Sequence, residues 1–173
     1  MITWLAPVCP LLGLTHSPGS RFLSRDEELR GFLAAGVRHV ISLQQEHELQ
    51  LFGGNETAAD RRDAVIGLGM RYTNVPIRDQ AAPTFSQTWQ IIKLIRAEIQ
   101  QQQRVALHCQ AGLGRAGTVS ACFLVAGGST SEDAMLFVRW VRQGAIQSRE
   151  QEMFILNFEQ WRDSDCTQPE EMA

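Results

Sequence analysis

The sequence has almost no lysine and no cluster of positive charge. Lys93 is its one lysine; the other basic residues are arginines scattered through 173 residues, and the formal net charge is -3. Proteins that bind a polyanion need clustered Lys and Arg. The composition therefore predicts no nucleic-acid partner.

Cysteine is also sparse. The sequence has four, Cys9, Cys109, Cys122 and Cys166. Their spacing includes no CxxC pair and no cysteine–histidine group typical of a metal site. We therefore expect no bound metal, and reduced cysteines in a reducing compartment.

Long apolar runs are missing as well. The longest apolar-rich stretch, residues 4–14, spans 11 residues and contains Pro7 and Pro10. It is too short to cross a bilayer, and the N-terminus lacks the basic start of a secretory signal. These absences predict a cytoplasmic protein with no membrane partner.

What remains is an ordinary globular composition, with 44% hydrophobic and 20% charged residues. A chain of this length fits one domain. From Asp163 onward the sequence carries four acids and no base. We therefore predict one domain over residues 1–162 and a flexible acidic tail over 163–173.

Strand and helix patterns alternate through most of the chain. The predicted strands are 37–43, 70–77 and 105–108, and a short helix is expected within 44–54. The predicted helices are 25–35, 56–66, 84–101 and 115–125, followed by one from Ser129 to 143 and one from Ser148 to 161. Alternation of this kind predicts an α/β fold with a single central, mostly parallel sheet and helices on both faces.

The loops at 78–83 and 109–114 each follow a predicted strand. In parallel sheets, ligand sites lie outside the carboxyl ends of the strands. We therefore expect these two loops to lie at the same edge of the sheet.

The segment VALHCQAGLGRAGT, residues 105–118, is the most informative part of the sequence. Cys109 and Arg115 flank a short loop that contains Gly112 and Gly114, between a predicted strand and a predicted helix. Such a loop can point backbone N–H groups at an anion, and an arginine fork can hold two of its oxygens. The same positive field favours an ionised cysteine.

A cysteine and an arginine six positions apart also occur by chance, and Cys109 could instead be a buried structural cysteine. The preceding His108, the two glycines and the strand–loop–helix context favour the catalytic interpretation. Cys9, Cys122 and Cys166 have no such surroundings and are interpreted as structural or incidental.

The segment HCQAGLGRAGT resembles the His-Cys-x5-Arg signature of cysteine-dependent phosphatases. Three more segments resemble the compact dual-specificity type, as in the cyclin-dependent kinase-associated phosphatase and its bacterial relatives. They are GLTHSPGSRF at 13–22, VPIRDQAAPT at 75–84 and GAIQSREQ at 144–151, and the resemblance covers about residues 10–162. It implies a protein tyrosine phosphatase-like fold and hydrolysis of phosphotyrosine, with phosphoserine and phosphothreonine as further substrates.

The resemblance also implies the roles of individual residues. Cys109 would attack phosphorus and form a phosphocysteine, Arg115 would bind the phosphate, and Asp79 would act as general acid and then as base. His108 would orient the loop, and Gln147 and Gln151 would position the hydrolytic water. The phosphate-binding residues would be Gln110, Ala111, Gly112, Leu113, Gly114 and Arg115.

Several of these residues have a structural alternative. Asp79 could be a surface or turn aspartate, with Asp60 and Asp63 as rival acids, although both lie in a predicted helix. Gln151 is equally a capping partner of Ser148, and His108 could be a core histidine.

One position departs from the family pattern. Ala116 stands where relatives carry Ser or Thr, whose hydroxyl stabilises the cysteine as leaving group in the second step. Losing a hydrogen bond to a charged group is worth about 1.5–3 kcal/mol, or roughly ten- to a hundred-fold in rate. We therefore expect slow hydrolysis of the phosphocysteine.

Other functions remain as alternatives. Ala116 also fits a catalytically weak phosphate-binding module. A lipid or inositol phosphatase is disfavoured because Gln110, Ala111 and Leu113 are uncharged, and a sulfurtransferase or arsenate reductase because Cys109 lies deep in the chain. No cofactor is implied; the expected ligands are phosphorylated proteins and phosphate, vanadate or sulfate-type oxyanions.

Overall fold

The structure is a computed structural model that describes residues 1–21, 23–50 and 55–164. Five strands form one sheet in the order β1-β2-β5-β3-β4. They are β1 (Thr3–Leu5), β2 (Cys9–Thr15), β3 (Val37–Ser42), β4 (Arg71–Asn74) and β5 (Arg104–His108). The β1–β2 pair is antiparallel and the other three pairs are parallel, which confirms the predicted mostly parallel sheet.

Six α-helices flank the sheet. They are α1 (Arg25–Ala34), α2 (Ala58–Gly67), α3 (Phe85–Gln100), α4 (Gly114–Ala126), α5 (Ser131–Val141) and α6 (Arg149–Ser164). Apolar side chains of α1 and α2 form one core with β3, and those of α3 to α6 form a larger core on the other face. Helices therefore cover both faces, as predicted.

Local hydrogen bonding explains where most helices begin. Ser24 with Glu27 and Thr84 with Gln87 form capping boxes at the starts of α1 and α3. The predicted start of α5 at Ser129 is wrong, because Thr130 caps the helix by accepting from Asp133 N. Ser129 instead belongs to the turn after α4, where its N donates to Leu124 O and its carbonyl oxygen accepts from Arg162 Nη1.

The two N-terminal strands have no counterpart among the predicted elements. Pro7 lies in the turn between β1 and β2, and Pro10 lies in β2 before its pairing with β5 starts at Leu12. Neither proline therefore removes a hydrogen bond from the β2–β5 ladder.

Two predicted segments fall partly outside the described residues. The segment 44–54 contains a short 3₁₀ helix, Glu46–Gln50, and its last four residues are outside. Asp163 and Ser164, assigned to the acidic tail, continue α6, and the rest of that tail is outside.

Candidate active site

The loops after β2, β5, β3 and β4 meet at one edge of the sheet, because these strands run parallel. The loop after the central strand β5 carries Cys109. The loop after β3 carries Glu48, and the loop after β4 carries Asp79. The loops at 78–83 and 109–114 therefore share an edge, as their sequence predicts.

The segment from Cys109 to Leu113, here called the cradle, connects β5 to α4. Gly112 has φ +70°, and a Cβ there would lie 2.2 Å from the carbonyl oxygen of Thr15. Only glycine fits such a position. Leu113, just before α4, has no side-chain acceptor, so the first N–H groups of this 13-residue helix stay available to an anion.

Three carbonyl groups of the cradle accept hydrogen bonds from residues outside it. Ser17 N donates to Gln110 O, Arg142 Nη2 to Ala111 O, and Gly117 N and Ile146 N to Leu113 O. A buried carbonyl needs such a partner. With the carbonyl groups held outside, the N–H groups of the same peptides can point inward.

A cavity of about 330 Å³ lies in front of the cradle. Cys109, 3% exposed, and Arg115, 1% exposed, both border it. It is lined by Asp79, Gln80, Cys109, Gln110, Ala111, Gly114, Arg115, Gln147 and Gln151. The cysteine and the arginine of the signature therefore border the same cavity as Asp79 and both predicted glutamines.

The guanidinium of Arg115 is fixed by Glu48, a residue not identified from the sequence. Its Nη1 and Nη2 donate to the two Glu48 oxygens at 2.7 and 2.6 Å, and Nη1 also donates to Ile77 O at 2.9 Å. Burial alone would lower the pKa of Arg115, but the bonds to Glu48 and nearby negative charges outweigh it and raise the pKa. Arg115 is therefore fixed and charged, as binding of an anion in the cavity would require.

Asp79 lies at the mouth of the cavity, with its side chain 58% exposed. Its Oδ1 is 2.8 Å from Arg115 Nη2, so it shares that nitrogen with Glu48. The rival acids have other partners: Asp60 caps α2 through Thr57, and Asp63 pairs with Arg62. The structure therefore brings Asp79, and neither rival, to the cradle.

Residues at the start of α6 hold the acid loop, residues 79–82, over the cavity. Ser148 Oγ donates to Gln80 O at 2.9 Å, and Gln151 Nε2 to Ala81 O at 3.2 Å. Ala82 N donates to Glu150 Oε1. These three bonds connect the acid loop to the Gln-bearing segment.

Both predicted glutamines pack against Gly114. A Cβ on Gly114 would lie 3.0 Å from Gln147 Oε1 and 3.0 Å from Gln151 Nε2. Gln151 is fully buried and also bonds Ser148, accepting at Oε1 from Ser148 N and donating its own N to Ser148 Oγ. The contacts of Gln151 are therefore compatible with both predicted roles, as a capping partner of Ser148 and as a residue that positions water in the cavity.

His108 is fully buried behind the cradle, and its Nδ1 is 3.3 Å from Cys109 O. A carbonyl only accepts, so Nδ1 carries the proton. Burial lowers the pKa of His108 to about 3. The ring is therefore neutral and packs behind the loop. This position is compatible with both interpretations of His108, as a residue that orients the loop and as a core histidine.

Ala116 is fully buried in the first turn of α4. The nearest following hydroxyl, Thr118 Oγ1, donates to Gly114 O at 2.9 Å. Thr118 is therefore engaged with its own helix and does not replace the missing hydroxyl.

Across residues 1–21, 23–50 and 55–164, no helix has both the length and the apolar character that a bilayer crossing needs.

Comparison with known proteins identifies the family. A family model described as "Polymorphic toxin system, DSP-PTPase phosphatase" matches residues 20–129. Protein tyrosine phosphatase type IVA 3 of Mus musculus is 36% identical over 140 residues, which cover 79% of this chain and 72% of that protein.

A second relative is much longer. Protein tyrosine phosphatase domain-containing protein 1 of Mus musculus is 30% identical over 152 residues, 83% of this chain. The chain spans about a fifth of the length of this relative.

The fold has a matching solved structure. A kinase associated phosphatase, solved with its catalytic-site cysteine replaced by serine, superposes with a TM-score of 0.82 at 22% identity, covering 95% of this chain and 96% of that one. The family match, the curated relative and the fold agree, and this chain belongs to the protein tyrosine phosphatase family, of the dual-specificity type.

Proposed function

We propose that the protein hydrolyses phosphomonoesters on phosphorylated proteins, at phosphotyrosine and also at phosphoserine and phosphothreonine, through a phosphocysteine intermediate. The observation that carries this proposal is the shared cavity of Cys109 and Arg115, with Asp79 at its mouth. The family supplies the reaction class. The catalytic domain we propose is residues 1–162.

In the first step the Cys109 thiolate attacks phosphorus, and the bond from phosphorus to the substrate oxygen breaks. N–H groups of the cradle and the start of α4 stabilise the transferring oxygens, together with the Arg115 fork. Protonated Asp79 gives its proton to the leaving oxygen. In the second step Asp79 takes a proton from water, which attacks phosphorus and releases Cys109.

Arg115 Nη2 connects binding to proton transfer. A phosphate oxygen held by this nitrogen competes with the carboxylate of Asp79, which lies 2.8 Å away. Substrate binding therefore moves Asp79 off the clamp and toward the leaving oxygen.

The test is hydrolysis of an aryl phosphate and of phosphopeptides by wild type and Cys109→Ser. We expect turnover by wild type, inhibition by vanadate, insensitivity to chelators and no turnover by the variant. Hydrolysis that persists in Cys109→Ser would overturn the proposed nucleophile.

A second candidate is a phosphate-binding module with little turnover, which Ala116 favours because it lacks a hydroxyl and that of Thr118 donates to Gly114 O instead. Tight phosphopeptide binding by wild type without any release of phosphate would favour this candidate.

A further inference from the structure

Arg142, which follows α5, reaches the outer side of the cradle. Its Nη2 donates to Ala111 O at 3.2 Å, and its Nη1 donates to Thr3 Oγ1 of β1 at 2.9 Å. Its Nε is buried and has no partner in the described part of the chain. The half-buried guanidinium therefore bridges the first strand and the cradle.

This side chain differs from the other outer partners of the cradle. Ser17, Gly117 and Ile146 bond the cradle through backbone N–H groups, whereas Arg142 brings a full positive charge. Arg115 carries its charge inside the cavity, where Glu48 partly balances it. No carboxylate pairs with Arg142 among the described ion pairs.

We propose that Arg142 is a positioning residue of the active site, which turns the Ala111 carbonyl outward and supplies a second, unpaired positive charge to the Cys109 thiolate. The inference rests on the proposed function for the role of Cys109 as the nucleophile. It concerns the ionisation of a thiol, which can be measured without turnover.

The charged groups around Arg142 and Cys109 affect the two side chains in known directions. Burial lowers the pKa of Arg142, and the positive charge of Arg21 lowers it further, while the negative charge of Cys109 raises it. From the other elements, Arg115 and Asp79 face Cys109 from the cavity. His108, behind the cradle, is neutral at the pH of the experiment.

The experiment measures the rate of Cys109 alkylation by iodoacetamide against pH, in full-length wild type and Arg142→Gln. Glutamine keeps a neutral N–H donor, on a shorter side chain, and removes the charge. We expect the midpoint of the alkylation profile to rise by about one pH unit, because a cation nearby favours the thiolate. Binding of tungstate is expected to weaken about tenfold.

Two further variants separate charge from packing. Arg142→Lys keeps the charge but loses the planar fork, so we expect the wild-type midpoint with weaker tungstate binding. Arg139→Gln, in the last turn of α5 just before Arg142, is the matched control. Arg139 donates to Ala145 O and Ile146 O and pairs with Glu152, without contacting the cradle, and its loss should lower thermal stability and leave the midpoint in place.

The outcomes are distinct. An unchanged midpoint in folded Arg142→Gln, or an equal shift in Arg139→Gln, overturns the inference. If Arg142→Gln does not fold, Arg142→Lys decides, since a midpoint as high as that of unfolded protein would contradict a role for the charge. If Arg142→Gln shifts the midpoint but wild type hydrolyses no phosphoester, the inference holds and the proposed function fails.

Discussion

At the scale of single residues, Ala116 sets the balance between the two chemical steps of the proposed mechanism. We expect Ala116→Ser to raise kcat roughly ten-fold or more, because a hydroxyl there can donate to the departing thiolate. Rapid-quench measurements should show a burst of released alcohol in wild type that shrinks in the variant. Wild-type turnover without a burst would contradict slow dephosphorylation.

In the proposed mechanism, Asp79 competes with the substrate for Arg115 Nη2 and supplies the proton. We expect Asp79→Asn to lower kcat by about 10²–10⁴-fold and to remove the basic limb of the kcat/KM profile. Vanadate should bind the variant more tightly, because the carboxylate no longer takes Arg115 Nη2. An unchanged basic limb would assign the acid to another residue.

Glu48 holds a buried charge in place. Removing one partner of a buried ion pair costs about 3–5 kcal/mol, so we expect Glu48→Gln to lower the free energy of unfolding by that order and to raise KM. Glu46→Gln, at an exposed position of the same 3₁₀ helix, is the control. Urea denaturation of both variants measures the difference.

At the scale of the elements, the cradle depends on how closely it packs against β2. Gly112→Ala would force a Cβ to 2.2 Å from Thr15 O at a positive φ, so the loop must move and activity should be lost. Gly128→Ala also has a positive φ, +103°, but nothing lies within 4 Å of its Cβ. It should cost stability only, and equal activity of the two variants would show that the contact is tolerated.

Much of the element pattern could be predicted from the sequence, because capping boxes and strand–helix alternation are local signals. Ser24, Thr84 and Gly36 mark the ends of helices where the structure has them. The strands β1 and β2 could not be predicted, because prolines are unfavourable in a strand. Only the tertiary pairing shows that Pro7 and Pro10 both lie outside the β2–β5 ladder. Cys109 and Arg115 could also be predicted, because they belong to one motif within a short stretch of sequence.

Glu48 and Arg142 were missed for a related reason. Each contacts the cradle across a long sequence separation, 67 residues for Glu48 to Arg115 and 31 for Arg142 to Ala111. Glu48 also lies in a segment without clear periodicity. A carboxylate soon after a strand that neighbours the signature strand was the available signal, and it is a weak one.

At the scale of the whole molecule, three buried histidines tie stability to pH. Burial lowers the pKa of His16, His39 and His108, the last to about 3. Unfolded histidines bind protons below about pH 6.5, so the unfolded state gains protons first as the pH falls. Stability should therefore be full above that pH and decline below it, by up to about 1.4 kcal/mol per pH unit for each histidine.

Urea denaturation between about pH 7 and pH 5 measures this slope, above the range where most carboxylates titrate. His39→Gln should reduce the slope, whereas His47→Gln, at an exposed position, should leave it unchanged. A slope that His39→Gln does not alter would show that this ring is protonated in the folded protein.

The contact between Thr3 and Arg142 joins residues that are 139 positions apart in the chain. Because Arg142 also donates to Ala111 O, its side chain connects strand β1 to the cradle by hydrogen bonds. A peptidase that removes the first few amino acids would therefore loosen the cradle without cleaving it, so the proposed phosphatase activity would depend on an intact first strand.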